Sequence, residues 1–199
     1  MKFFTADLHL FHRKVPLYEP GRAMYRSIDE MNETIIYNIN SRCTKRDELW
    51  ILGDMSLGKT KDVLELIQFI EPTIHLISGN HDPTWTYKKR HARMIERYLE
   101  AGIASIADET TTEVQGVGVV LSHFPYKGSP DGDHTQEDRY VSARPDNHGS
   151  WLLCGHVHSL WLQRGKQINV GIDANPKGHF PHSETEIHEM IQKGPQDID

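Results

Sequence analysis

Aspartate, asparagine and histidine occur in this sequence in five short motifs that could bind metal together. They are Asp7-Leu8-His9, Gly53-Asp54, Gly79-Asn80-His81-Asp82, Ser122-His123 and Gly155-His156-Val157-His158. A donor set mixing carboxylate, imidazole and amide oxygen suits Mn, Fe, Zn or Ni better than an all-oxygen Ca or Mg cage would. Taken singly, each motif also has a plain structural explanation. Asp7 and His9 could be polar residues that close a strand, Asp54 after Gly53 a turn residue, and His123 a core histidine with its hydrogen bonds satisfied. His156 and His158 make a stronger pair, because alternate residues of a strand point the same way.

The five motifs share a position: each follows an apolar run that reads as a strand. Residues 2–6 end at Asp7, 48–52 at Gly53-Asp54, and 73–78 at Gly79. Residues 117–122 run into His123, and 151–154 into Gly155. The carboxyl ends of strands in α/β sheets are where sites assemble, since loops converge there on a rigid frame. Glycine before the polar residue in three of the motifs lets the backbone turn tightly and approach closely.

Between the strands lie helical patterns. Ser27 and Glu30 form a capping box that predicts a helix over residues 28–40, with Ile28, Met31, Ile35, Ile36 and Ile39 on one face. Thr60 caps a helix that runs to Ile70 and stops before Pro72. Residues 88–100 read as a helix with Gly102 just past its end. Residues 110–114 and 117–122 flank Gly116 as a hairpin. A strand over 161–170 breaks at Arg164-Gly165-Lys166, and Ser183 to Glu186 opens a last helix, with a frayed tail after Gly194. Residues 124–149 form a long loop rich in Gly, Pro, Asp and His, a length that points to function or mobility. The alternation defines an α/β protein. Its 199 residues make one domain over 1–199, with no repeat or linker.

Bulk composition excludes several classes. Hydrophobic residues are 37% and charged residues 25%, as in globular proteins. No apolar run approaches the roughly 20 residues that cross a bilayer. An acidic residue at position 7 interrupts any signal-peptide core, so a soluble cytoplasmic protein without membrane partners is expected. Cys43 and Cys154 lack a CxxC spacing and are expected as reduced thiols. A net charge of −6 argues against tracking nucleic acid along an extended basic face.

In this order, the motifs resemble those of the calcineurin-like metallophosphoesterase superfamily, and the resemblance spans Asp7 to His158. The small bacterial and phage-type phosphoesterases are most similar. That finer likeness rests on Asp7-Leu8-His9-Leu10-Phe11-His12, on Leu121-Ser122-His123-Phe124-Pro125-Tyr126 and on Asn169-Val170-Gly171-Ile172-Asp173. The resemblance implies a four-layer α/β/β/α sandwich of two mixed sheets flanked by helices. It also implies two divalent transition-metal ions, with Mn favoured over Fe, Zn or Ni. One ion would be held by Asp7, His9, Asp54 and His158, the other by Asp54, Asn80, His123 and His156, with Asp54 bridging. A hydroxide bridging such a pair would attack phosphorus. His81 would serve the leaving-group oxygen, and Asp82 would hold the His81 ring.

Other residues keep two readings. His12 and Arg13 either touch substrate phosphate or lie in a solvated loop. Arg22 and Arg26 either reach the site or serve the surface. Arg139, Arg144, Asn147 and His148 belong either to a lid or specificity loop or to a solvated one. His75, His91, His134, His179, His182 and His188 are read as structural or solvated, Trp151 and Trp161 as core, and Lys88-Lys89-Arg90 as a solvated helix face.

Protein phosphatases of this superfamily follow the second motif with a longer pattern containing Asp-Arg and carry Glu after Asn-His. Here Met55-Ser56-Leu57-Gly58 follows Asp54, and Asp82 follows His81. The expectation is therefore a phosphodiesterase for small phosphodiesters such as cyclic nucleotides (2′,3′ or 3′,5′). A phosphomonoesterase, a nucleic-acid-processing nuclease or phosphatase, and a non-catalytic scaffold like the retromer subunit of the same fold are the alternatives.

Overall fold

In a computed structural model of the chain, residues 1–129 and 140–196 are described; Arg139 and His134 lie outside them. The strands are β1 (Lys2–Thr5), β2 (Glu48–Leu52), β3 (Thr73–Ile77), β4 (Ser105–Ala107), β5 (Glu109–Val114), β6 (Val117–Ser122), β7 (Trp151–Cys154), β8 (Gln163–Arg164), β9 (Gln167–Asn169) and β10 (His182–Ser183). The helices are α1 (Val15–Tyr18), α2 (Ile28–Arg42), α3 (Thr60–Ile67), α4 (His91–Glu100) and α5 (Glu184–Gln192), and a short 3-10 helix spans Pro20–Met24.

Two five-stranded mixed sheets form, in the orders β10-β1-β2-β3-β4 and β5-β6-β7-β9-β8. β1 to β4 are parallel, as are β6, β7 and β9, while β10, β5 and β8 pair antiparallel at the edges.

Side-chain alternation explains the layering. Phe3, Leu49, Ile51, Ile74 and Leu76 point one way, into a core shared with Met31, Ile35 and Ile39 of α2, Val63 and Ile67 of α3, and Tyr98 of α4. Phe4, Leu52 and Ile77 point the other way and meet Val119, Leu121, Leu153 and Ile168 of the second sheet. A strand period of two makes both faces of the first sheet apolar, so it needs a helical layer on one side and a sheet on the other. Each fully buried aliphatic side chain contributes about 1.5–3 kcal/mol through its removal from water. Leu152 and Cys154 face outward from the second sheet and are covered by Tyr126 and Trp161.

The ends of the elements depart from the sequence reading in instructive ways. β1 stops at Thr5, because Ala6 turns to bridge Gly171 and so ties the first sheet to the second. Ser27 caps α2 as expected, accepting from Glu30 N–H at 3.1 Å, but the Glu30 carboxylate reaches Arg26 N–H at 2.6 Å instead of the cap itself. Ser183 and Glu186 close a full reciprocal box on α5. Thr60 is the first helical residue of α3 and not its cap. α4 begins at His91, since residues 85–88 make a turn in which Lys88 N–H donates to the Trp85 carbonyl at 2.8 Å. The β5–β6 hairpin turns on Gln115 and Gly116, with φ of 46° and 85°, the left-handed pair that a two-residue turn needs to match strand twist. Gln196 pairs with Gly165 beyond α5. No helix among the described residues is long and apolar enough to cross a membrane.

Candidate metal centre

The parallel strands β1, β2, β3, β6 and β7 all end at one place, and the five motifs meet there. Past β1 the ladder continues in a distorted form: Asp7 N–H donates to the Gly53 carbonyl and His9 N–H to the Asp54 carbonyl, each at 3.0 Å. Asp7, His9, Asp54, His156 and His158 have φ of 56°, 47°, 51°, 72° and 47°. Left-handed backbone costs a residue with a Cβ about 1–2 kcal/mol, so five such residues at one spot must be held by their surroundings. The inference runs from these outliers to a functional site. Part of the holding comes from the site itself. His156 N–H donates to both Asp7 carboxylate oxygens at 3.2 and 3.0 Å, and His81 N–H to Asp54 Oδ1 at 2.9 Å.

Donor atoms of Asp7, His9 and His158 lie within 4.8 Å of one another, as do those of Asp7, Asp54 and His123. The tautomers follow from the hydrogen bonds. His123 Nδ1 faces the Leu52 carbonyl at 2.8 Å and must carry the proton, so Nε2 presents a lone pair. That lone pair faces Asn80 Oδ1 at 3.1 Å and Asp54 Oδ1 at 3.5 Å, both acceptors. His158 Nδ1 faces Asp173 Oδ2 at 3.1 Å and likewise carries a proton, which turns Nε2 toward His9 Nε2 at 3.3 Å. Around His123 acceptor thus meets acceptor in a buried place, a poor hydrogen-bond network but a good cation site. The residues present therefore fit the implied metal pair.

Burial drives His123 down to about 4 and His9 well below the usual imidazole range, which keeps both neutral and ligand-ready. Burial also presses His158 down, but its bond to Asp173 and the charges of Asp7, Asp173 and Glu19 carry it up to about 9. Asp7 is pushed up by burial, whereas the imidazoles of His123, His9 and His81 hold Asp54 well below the carboxylate range despite its burial. Glu19, His158 and Asp173 form a further donor group. Both Asp173 oxygens there already accept from Arg22 at 2.7 Å, so a guanidinium stands where a cation would go.

The floor of the site is paved with glycine. A Cβ on Gly155 would lie 2.5 Å from Ala6 Cβ and 2.7 Å from Asp7 Oδ2. Gly155→Ala is expected to lower the thermal midpoint, with overpacking worth about 1–3 kcal/mol, and to displace the Asp7 carboxylate. Thermal unfolding and metal content of the purified variant check this; a wild-type midpoint with full metal content would contradict it.

Two residues of the sequence reading have different work. Asp82 does not hold the His81 ring. Its carboxylate is buried and accepts from the backbone N–H of Asp54 and Gly79 at 2.8 Å each and of Met55 at 3.0 Å, so it ties the ends of β2 and β3 together. Burial and the Asp54 charge push its pKa up against those donors. Nor is Arg22 a substrate-binding residue or a surface one. It is fully buried and turned inward onto Asp173 and the carbonyls of Asp7 and Leu8.

His81 stands at the rim, with its side chain 42% exposed and Nε2 3.8 Å from Asp54 Oδ2. The ring of His12 lies edge-on 5.4 Å from that of His9. Arg144 is buried in the long loop, with Nη1 donating to the Ser129 carbonyl at 3.1 Å, and His148 is exposed near Asp146.

Sequence reasoning left Asp173 and Asn169 without roles, although both stand in the quoted Asn-Val-Gly-Ile-Asp run. Asn169 Nδ2 donates to the carbonyls of His158 at 2.7 Å and Trp161 at 2.8 Å, and so shapes the last motif. Glu19, with Oε1 3.6 Å from His158 Nδ1, carried no motif signal.

Two facing mixed sheets with metal-ligand motifs at their common strand ends define a metallophosphoesterase, and the calcineurin-like phosphoesterase superfamily domain matches residues 6–178. The chain belongs to that superfamily. It is 34% identical over 185 residues to the gene 66 protein of Mycobacterium phage L5, covering 86% of each chain. Its identity to the gene 66 protein of Mycobacterium phage D29 is 33% over 202 residues, covering 95% of this chain and 94% of that one. A crystal structure of a protein of unknown function from Aquifex aeolicus shares the fold, with a TM-score of 0.67 at 22% identity over 96% of this chain and 98% of that one.

Proposed function

We propose that the chain is a dinuclear metal-dependent phosphodiesterase that hydrolyses small phosphodiesters, cyclic nucleotides (2′,3′ or 3′,5′) foremost. The observation that carries the dinuclear reading is the pair of donor groups, Asp7-His9-His158 and Asp7-Asp54-His123, each with its ligand atoms within 4.8 Å of one another. One ion, with Mn favoured, would be held by Asp7, His9, Asp54 and His158, the other by Asp54, Asn80, His123 and His156. Such ions supply Lewis acidity toward phosphoryl oxygens and acidify water near neutral pH.

The chain's own residues do the rest. In this reading His81, fixed through its backbone N–H to Asp54 and half open to solvent, gives a proton to the departing oxygen. In the same reading His12, whose ring lies 5.4 Å from that of His9, meets a non-bridging phosphate oxygen.

Two observations favour a small diester. Arg22 is turned inward, so its guanidinium is not offered to the second negative charge of a monoester. Beside His156 stand Phe124 and Tyr140, with ring centroids 4.9 and 6.0 Å from its own, and Trp85 lies 5.7 and 5.4 Å from these two. Phe124 and Trp85 are buried, which leaves the partly exposed Tyr140 as the ring that a planar base could meet. The net charge of −6 favours a small ligand over extended nucleic acid.

The test is to strip metal with chelator, restore Mn2+, and compare rates on bis-p-nitrophenyl phosphate and p-nitrophenyl phosphate. Metal-dependent turnover faster on the diester is expected. Faster turnover of the monoester would make the enzyme a phosphatase, and metal-loaded protein silent on every ester would return the scaffold reading.

A further inference from the structure

Arg22 is the largest fully buried side chain among the described residues, and its guanidinium bonds to Asp7, Leu8 and Asp173. It arrives on the 3-10 helix Pro20–Met24, which follows the first motif closely in sequence. Nε and Nη2 form a fork on the two oxygens of Asp173, each at 2.7 Å. Nη1 donates to the Leu8 carbonyl at 2.7 Å, and Nη2 also donates to the Asp7 carbonyl. Asp173, itself 2% exposed, accepts from His158 Nδ1 at 3.1 Å through the same Oδ2 that Arg22 holds. A chain of bonds thus runs from the backbone of the first motif, through a buried ion pair, to the ring of the last. The two ends are 149 residues apart and meet again at His9 Nε2 and His158 Nε2, 3.3 Å from each other.

The arrangement is costly by ordinary standards, since a buried ion pair contributes little net stability against an apolar replacement. It does two things an apolar pair could not. Asp173 fixes the tautomer and ring plane of His158, as carboxylates do for ligating histidines. The guanidinium occupies the Asp7 and Leu8 carbonyls and so holds the left-handed backbone of Asp7 and His9, at φ 56° and 47°. A lysine could not reproduce this, because it offers one point charge and no planar fork.

We propose that Arg22 and Asp173 are positioning residues for one half of the metal centre, the half built from Asp7, His9 and His158. The inference rests on the dinuclear reading and adds to it an asymmetry. In the other half His123 is held instead through the Leu52 carbonyl, so that half is expected to depend less on this pair.

The experiment is calorimetric titration of chelator-stripped full-length protein with Mn2+, wild type beside Asp173→Asn and Arg22→Lys. The wild type is expected to show two sites. In either variant one site is expected to weaken by about 10–100-fold while the other keeps its affinity. A merely structural role would lower the thermal midpoint of the stripped protein and leave both affinities alone, and that result overturns the proposal, as does equal weakening of both sites. A wild type that binds fewer than two ions overturns the dinuclear reading along with it; two wild-type sites unchanged in the variants overturn this inference alone.

Should the variants fail to fold, ring 15N spectra of the Zn2+-loaded wild type decide the matter. His158 is expected with Nδ1 protonated and Nε2 coordinated, and the reverse pattern overturns the proposal.

Discussion

Asp54→Asn is expected to weaken or empty both halves of the centre and to reduce diester turnover by about a thousandfold or more, several kcal/mol of barrier. The geometry of the carboxylate explains why one atom matters so much. Oδ1 lies 3.5 Å from His123 Nε2, and Oδ2 lies 3.7 Å from His9 Nε2, so the two oxygens face the two donor groups. The imidazoles hold this carboxylate ionised in spite of its burial. An amide keeps the shape, removes the charge and turns one acceptor into a donor, which takes a ligand from one side and weakens the other. Asn also accepts left-handed backbone readily, so the φ of 51° at this position is no obstacle to folding. Metal analysis of the purified variant and its steady-state rates check the expectation. Retention of two ions at wild-type affinity would show that Asp54 does not bridge.

His81→Ala should behave in the opposite way: full metal content, with turnover of an ester with a basic, alkyl leaving group lower by a factor of about a hundred or more. The ring faces the centre from outside, 42% exposed, with Nε2 3.8 Å from Asp54 Oδ2 and its centroid 5.5 Å from that of His9. That distance suits a group that meets the departing oxygen of a bound ester. A proton donor matters most when the leaving oxygen is basic. The variant should therefore lose little on a p-nitrophenyl ester and much on an ester with an alkyl leaving group. An equal loss on both would remove proton donation from the account, and an emptied centre would make His81 a ligand.

Much of the fold was legible in the chain because its signals are local. The strand at 48–52 and the strand at 151–154 have the bounds that apolar runs and flanking Gly-Asp and Gly-His predict. Ser27 and Ser183 announce their helices through cap chemistry that involves only the next three residues. Boundaries slipped where a tertiary contact outweighed a local preference. Ala6 leaves β1 to pair with Gly171 across the two sheets, and the β10 strand exists only because β1 offers it an edge.

The residue types that could form the centre were likewise readable, since the motifs themselves state the donor chemistry and strand ends tell where donors gather. Their partners were not. Asp82 stands next to His81 in sequence, yet its carboxylate is taken by three backbone N–H groups, two of them 27 and 28 residues away. Arg22 looked like a residue for solvent or substrate, yet it is buried on Asp173, 151 residues distant.

Sequence by itself determined which residues carry lone pairs and which runs become strands, because periodicity and side-chain chemistry are properties of neighbours along the chain. Only the tertiary structure decided which nitrogen of each histidine is protonated, which backbone turns left-handed, and which charged groups serve the centre from behind. Those depend on acceptors brought from distant segments by the packing of two sheets, and no local pattern encodes where such an acceptor will lie.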